Sequence, residues 1–195
     1  MSESHRLRVA VIIGSTRVGR FGPTVAEWVS AKARRRHDVD VDVIDLAETR
    51  LPDRLADEDT TPPLAVRALA GRLDRADGFA VVTPEYNRSF PAPLKTVIDW
   101  FCREWQAKPV TIISYGRDNG GLNATRQLRE IFTELHATTV RDTVALADYW
   151  TYFNTDGTWP KPTAECNAAV DTTLDQLVWW AVALRDARLA SPYPA

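Results

Sequence analysis

The chain has 195 residues, 45% of them apolar and 26% charged, with a formal net charge of −2. That length suits one well-cored domain, here taken as residues 1–195, and is short for two; the mixture is that of a soluble globular protein. The near-neutral balance, with Arg34-Arg35-Arg36 as the only basic run, argues against a nucleic-acid partner, and no stretch approaches the ~20 apolar residues of a membrane-spanning helix.

Apolar periodicity predicts alternating strands and helices. Leu7 to Ile13 is short, β-branched and almost continuously apolar, as expected of a strand buried on both faces. Pro23 suits a first helical turn, and Val25, Trp28 and Val29 recur at helical spacing as far as about Arg36. Val39 to Ile44 alternates apolar and acidic residues, the pattern of an edge strand. A polar stretch opening with Asp45 to Glu48 and containing Pro62-Pro63 leads to a helix at about 64–75.

Gly78 to Thr83 is a third buried strand. Leu94, Val97, Ile98, Phe101 and Trp105 then predict an amphipathic helix. Pro109 to Tyr115 is strand four, Leu122 to Leu135 a helix, and Thr138 to Leu146 strand five. Residues 148–162 carry few periodic signals, and Leu174 to Leu184 closes the chain as a helix. Five strands with intervening helices give an α/β doubly wound fold, a three-layer sandwich around a five-stranded parallel sheet of flavodoxin-like order 2-1-3-4-5.

In that order the loops after strands one and three face each other at the switch point, where open α/β sheets bind ligands. The first loop has the composition of a phosphate cradle. Gly14 permits a tight turn, Ser15 and Thr16 offer hydroxyls, Arg17 and Arg20 offer guanidinium forks, and a helix N-terminus follows. It is neither a P-loop nor GxGxxG, since Gly-Lys-Ser/Thr is missing and Thr16 stands at the second glycine. The second loop, Thr83 to Pro93, is stiffened by prolines. Tyr86 offers a ring, Asn87 both a donor and an acceptor, and Glu85 a carboxylate that suits the base of the loop better than the chemistry. The third loop, Ser114-Tyr115-Gly116 with Gly120-Gly121, ends strand four on the same side. A phosphate cradle beside a site for a flat ring is the outline of a flavin mononucleotide pocket.

Gly14-Ser15-Thr16-Arg17 with Arg20, Pro84-Glu85-Tyr86-Asn87 with Ser89 and Pro91, Leu94-Lys95, Ile98-Asp99-Trp100, and Tyr115-Gly116 with Gly120-Gly121 together resemble the NADPH-dependent FMN reductase family. The resemblance runs from about residue 7 to residue 146. It implies a flavoenzyme using NADPH or NADH, with FMN phosphate on Ser15, Arg17 and Arg20 and the ring against Pro84 to Asn87 and Ser114 to Gly116. It also implies a homodimer or homotetramer and a small acceptor: a quinone, azo compound, metal oxyanion or flavin. Trp100, Phe101 and Trp105 are then either interface or core residues. The chain departs from the family pattern at Arg88 and Ala92, where glycine is common. Arg88 is open to three roles: pairing with an NADPH phosphate, narrowing the pocket, or reaching solvent. Residues 149–153 either cover a partner's flavin or pack under the last helix.

Cys102 and Cys166 lack CxxC spacing, and His5, His37 and His136 lack metal-ligand spacing. Residues 1–6 have no apolar signal-peptide core, so the expected compartment is cytoplasmic. Two other functions compete on the same fold: a flavodoxin-type electron carrier, against which the near-neutral charge counts, and a non-catalytic flavin-binding or regulatory module.

Overall fold

Three near-continuous apolar runs set the centre of the molecule. In the computed structural model, which describes residues 6–56, 60–152, 159 and 163–194, they pair into one parallel sheet. Strands β1 (Leu7–Ile13), β3 (Gly78–Pro84) and β4 (Pro109–Gly116) lie inside it and are buried almost throughout, as strands covered on both faces must be. Strand β2 (Val39–Asp45) is the edge, and its aspartates give that edge charge. The order is β2-β1-β3-β4-β5, the flavodoxin-like order read from the sequence.

Helices cover both faces. On one side α1 (Gly22–Arg34) and α6 (Ala164–Ala190) pack through Val25, Val29, Leu174 and Leu177. On the other, α3 (Leu64–Asp74), α4 (Ala92–Trp100) and α5 (Leu122–Glu134) contribute Leu69, Leu94, Leu128 and Phe132. Pro23 sits in the first turn of α1, where its missing N–H costs nothing, and Lys32 and Arg34 occupy the last turn, at the negative end of the helix dipole. No helix among the described residues is long and apolar enough to cross a membrane.

Four elements differ from the sequence reading. Strand five is two short pieces, β5 (Thr138–Thr139) and β6 (Val144–Ala147), both paired to β4. Between them, side chains replace the ladder: Arg129 donates to the Arg141 carbonyl at 2.6 Å, and Gln176 accepts from the Asp142 N–H at 3.1 Å. Helix α4 stops at Trp100 because Phe101 is extended. Trp105 nevertheless reaches the core from the following turn, its ring 4.7 Å from Phe79 and 5.4 Å from Phe132. A one-turn helix, α2 (Leu46–Thr49), follows β2, N-capped by Asp45. Helix α6 is longer than its apolar core and extends in both directions beyond 174–184.

Phe101 and Trp105 are buried, and Trp100 is half-buried, with its indole N–H donated to the Pro52 carbonyl at 2.9 Å. All three pack within this chain. Phe153 and most of residues 148–162 lie outside the described residues.

Candidate functional site

The loops after β1, β3 and β4 converge at the carboxyl edge of the sheet. There they wall a cleft of about 390 Å³, within the size range of small-molecule pockets. Segment 149–150 closes its fourth side with Tyr149 and Trp150.

The β1 loop leaves the sheet at Gly14, whose N–H bonds Val82 O at 2.8 Å. A Cβ there would come within 3.2 Å of Leu94 and 3.3 Å of that carbonyl, so any side chain would push the loop or α4 aside by a few tenths of an ångström. Ser15 is fully buried, with its hydroxyl 3.3 Å from that of Tyr86, while Thr16 and Arg17 are exposed. The two arginines of this loop behave differently. Arg20 forms a bidentate pair with Asp45, Nη2 to Oδ2 at 2.6 Å, and donates to the Ser15 carbonyl at 2.6 Å. Asp45 hydrogen bonding raises the Arg20 pKa further, against the opposing effect of burial. Asp45 also accepts from the Ala47 N–H at 3.0 Å, so one carboxylate fastens the β1 loop to α2. Arg20 thus braces the loop, and its fork is not free as a phosphate clamp. The Arg17 side chain has no hydrogen-bond or ion-pair partner among the described residues, nor do the N–H groups of Thr16 and Arg17.

The β3 loop turns sharply at Tyr86–Ser89. Tyr86 N–H bonds Ser89 O at 2.7 Å, Ser89 N–H bonds Tyr86 O at 2.9 Å, and Asn87 and Arg88 have φ of 50° and 67°. Two central residues with positive φ define a type I′ turn. This explains why glycine suits the Arg88 position, and it means the chain keeps a strained side chain there. Helix α5 holds the turn: Gln127 Nε2 donates to Arg88 O at 2.7 Å, and Gln127 Oε1 accepts from the Ser89 hydroxyl at 2.7 Å. The Arg88 guanidinium reaches Asn123 Oδ1 only at 3.5 Å and remains exposed. The Asn87 and Arg88 N–H groups have no partner among the described residues.

Glu85 lines the cleft, yet its carboxylate faces α5. It accepts from the Asn123 N–H at 2.9 Å, Asn123 Nδ2 at 3.0 Å and the Ala124 N–H at 3.3 Å, capping a helix whose N-cap, Gly121, has no side chain. Burial pushes its pKa up, but these hydrogen bonds outweigh it and the net direction is down. The contribution to stability is therefore complete above the ordinary glutamate range and is lost as pH falls through the lowered value. Glu85→Ala is expected to cost about 1–2 kcal/mol at pH 7, the range for a lost helix cap. In urea titrations the gap from the parent should close as pH falls below the ordinary glutamate range; a gap independent of pH would contradict the capping role.

The β4 loop contributes Tyr115 and Gly116 to the cleft, but not Ser114. The Ser114 hydroxyl is buried, donates to Gly120 O at 2.8 Å and receives Thr125 Oγ1 at 3.1 Å. It serves the turn into α5 and is not presented to a ligand. Gly120 and Gly121 are also structural: at positive φ, a Cβ on either would lie 2.7 Å from Ala145 or Ser114. Tyr115 keeps a buried hydroxyl without a hydrogen bond, and burial drives its pKa well upward, eased in part by nearby Ser15. Tyr149 stacks on Phe21 at 4.4 Å, and the Trp159 indole donates to Tyr149 O at 3.1 Å, so this segment packs as an aromatic cluster over α1.

The structure thus brings Arg17, Arg20, Pro84, Glu85, Tyr86, Tyr115 and Gly116 to one cleft. Gly14 and Ser15 lie beneath it, and Thr16 lines a separate hollow beside Pro93. The sequence reading missed Asp45, Asn123, Gln127 and Arg117. Asp45-Leu-Ala-Glu48 carried a capping signature, and Asn123 and Gln127 are an i, i+4 pair on one face of α5.

The family model described as NADPH-dependent FMN reductase matches residues 7–151. The chain belongs to that family. A Schizosaccharomyces pombe protein named as an NAD(P)H-dependent FMN reductase is 36% identical over 132 residues, 64% of this chain and 64% of that protein's length. A quinone reductase of Escherichia coli is 34% identical over 139 residues, 69% of this chain and 73% of the relative. Among solved structures, the flavoenzyme NAD(P)H:(acceptor) oxidoreductase FerB of Paracoccus denitrificans superposes with a TM-score of 0.74 at 23% identity. That alignment covers 89% of this chain and 98% of FerB, and it shows a shared fold.

An FMN reductase cleft needs donors for a phosphate and for a carbonyl-bearing ring edge. In the cleft the unpartnered Arg17 side chain and N–H and the buried, unsatisfied Tyr115 hydroxyl are such donors, and the free N–H groups of Thr16, Asn87 and Arg88 lie on the flanking loops outside its lining. Among the described residues the one carboxylate lining the cleft, Glu85, is committed to α5 and presents no free acceptor against a phosphate. The residues fit the cofactor.

Proposed function

We propose that the protein is an FMN-dependent NAD(P)H oxidoreductase that reduces a small acceptor: a quinone, azo compound, metal oxyanion or flavin. The observation that carries this reading is the cleft at the sheet's switch point, where the unpartnered Arg17 side chain of the β1 loop and Tyr86 of the β3 loop line a single space. The chemistry supplied by bound FMN is acceptance of a hydride from a reduced nicotinamide and release of two electrons to the acceptor.

The protein's part is binding and placement. Arg17 and the Thr16 and Arg17 N–H groups receive the phosphate, while Arg20, locked to Asp45, keeps that loop in shape. The Asn87 and Arg88 N–H groups meet the polar edge of the ring, held in the type I′ turn by Gln127. The Tyr86 side chain lines the cleft, its hydroxyl 3.3 Å from that of Ser15, and borders the ring site. No side chain is required as an acid or base, consistent with Glu85 being spent on α5. Donor and acceptor share one open face, so they alternate. Self-association as a homodimer or homotetramer belongs to the same reading; the outer face of α6, with Trp179 64% exposed, has the apolar character of a contact surface.

Initial-rate measurements with NADPH and a benzoquinone test the order of events. Parallel double-reciprocal lines are expected, and intersecting lines would rule out alternating occupancy.

A further inference from the structure

Three guanidinium groups line the cleft, those of Arg17, Arg20 and Arg117. Asp45 neutralises Arg20, whereas Arg17 and Arg117 have no carboxylate partner among the described residues. Arg117 follows β4, whereas Arg17 belongs to the β1 loop, so the two cations lie on different walls. Asp118 and Asp148 are near Arg117 in sequence or through the Asp148 N–H bond to its carbonyl, yet neither forms an ion pair with it. FMN carries one phosphate, which the β1 loop accounts for. A second cation at the same cleft, exposed and without a carboxylate partner, is available to a second anion.

The setting of Arg117 narrows what that anion is. Its guanidinium lies over the Trp150 ring, 5.6 Å from the centroid, and Trp150 is itself 45% exposed at the cleft. A guanidinium held within cation–π range of an indole keeps N–H groups available for a phosphate, and the attraction narrows the positions it samples in advance. An exposed indole beside a phosphate-binding fork matches a purine nucleoside that carries a phosphomonoester.

We propose that Arg117, steadied by Trp150, docks the 2′-phosphate of the hydride donor and so makes this cleft select NADPH over NADH. The proposal rests on the FMN-dependent reading above. It assigns Arg117 to a different ligand from Arg17: one cation for the resident cofactor, one for the visiting nucleotide.

The test is calorimetric titration of the FMN-loaded protein with adenosine 2′,5′-bisphosphate and, separately, with ADP, alongside FMN affinity of the apoprotein by fluorescence quenching. Arg117→Ala is expected to weaken the 2′,5′-bisphosphate by about 10- to 100-fold, as for loss of a charge-assisted phosphate contact, with ADP and FMN affinities unchanged. KM for NADPH should rise by a similar factor, with kcat and the KM for NADH little altered. Arg117→Lys, which keeps the charge without the fork, should recover part of the loss. Undiminished 2′,5′-bisphosphate binding, or an equal loss for ADP, would overturn the assignment. A fall in FMN affinity would transfer Arg117 to the cofactor's phosphate and overturn it too. A parent protein that cannot be loaded with FMN fails at an earlier step, and sinks the flavoenzyme reading together with this one.

Discussion

Arg20→Ala is expected to lower the unfolding free energy by about 3 kcal/mol, the scale seen when one partner of a buried ion pair is removed. The Arg20 and Asp45 side chains are only 17% and 14% exposed, so truncation leaves the Asp45 carboxylate short of both water and its counter-ion. It also frees the Ser15 carbonyl and loosens the joint between the β1 loop and α2. For a chain of this size the loss corresponds to a fall in Tm of about 6–12 °C. Arg20→Lys should recover little, since an ammonium cannot bridge both carboxylate oxygens and the carbonyl in one plane. The double variant Arg20→Ala/Asp45→Ala should be less destabilised than the sum of the two single changes, because it removes the orphaned charge. Thermal melts followed by circular dichroism measure all of this, and additive single effects would refute the pairing.

Arg17→Ala should behave in the opposite way. It leaves the melting temperature close to that of the parent, because Arg17 is exposed and has no partner among the described residues. FMN affinity, in contrast, is expected to fall by about 1.5–3 kcal/mol, the worth of a hydrogen bond to a charged group, or roughly 10- to 150-fold in Kd. Fluorescence titration of the apoprotein with FMN reads this directly, and rising salt should narrow the difference. An unchanged Kd would remove Arg17 from the phosphate site. The two variants together separate a residue that builds the loop from one that uses it.

The sequence alone could not make that separation. Arg17 and Arg20 look alike as members of a glycine-, serine- and arginine-containing loop. What distinguishes them is Asp45, which is 25 residues away and comes alongside only because β2 pairs with β1 in parallel register. Ser114 was misjudged for a related reason. A serine at a strand's end beside two glycines reads as a ligand contact, but its hydroxyl turns inward to Gly120 and Thr125 of its own loop and helix. By contrast, the strand order was legible, since continuous apolar runs such as Val9 to Ile13 and Phe79 to Val82 can be satisfied only in the middle of a covered sheet. The periodicity that carried α4 on to Trp105 failed because apolar spacing reports burial and not backbone conformation. Trp105 is fully buried, from a turn.

Glu85 shows the same division. Its presence in the loop was visible, and so was a preference for a supporting role over an acid–base one. Its hydrogen-bond partners, the Asn123 and Ala124 N–H groups, appear only when α5 is brought beside β3 through β4.

The most direct test of the central claim is an absorbance spectrum of the purified protein after incubation with FMN and gel filtration, repeated after anaerobic addition of NADPH. The account predicts retained flavin bands near ~450 nm that bleach with NADPH and return when a quinone is admitted. A protein that emerges without flavin absorbance, or whose bound flavin is untouched by NADPH, would contradict it.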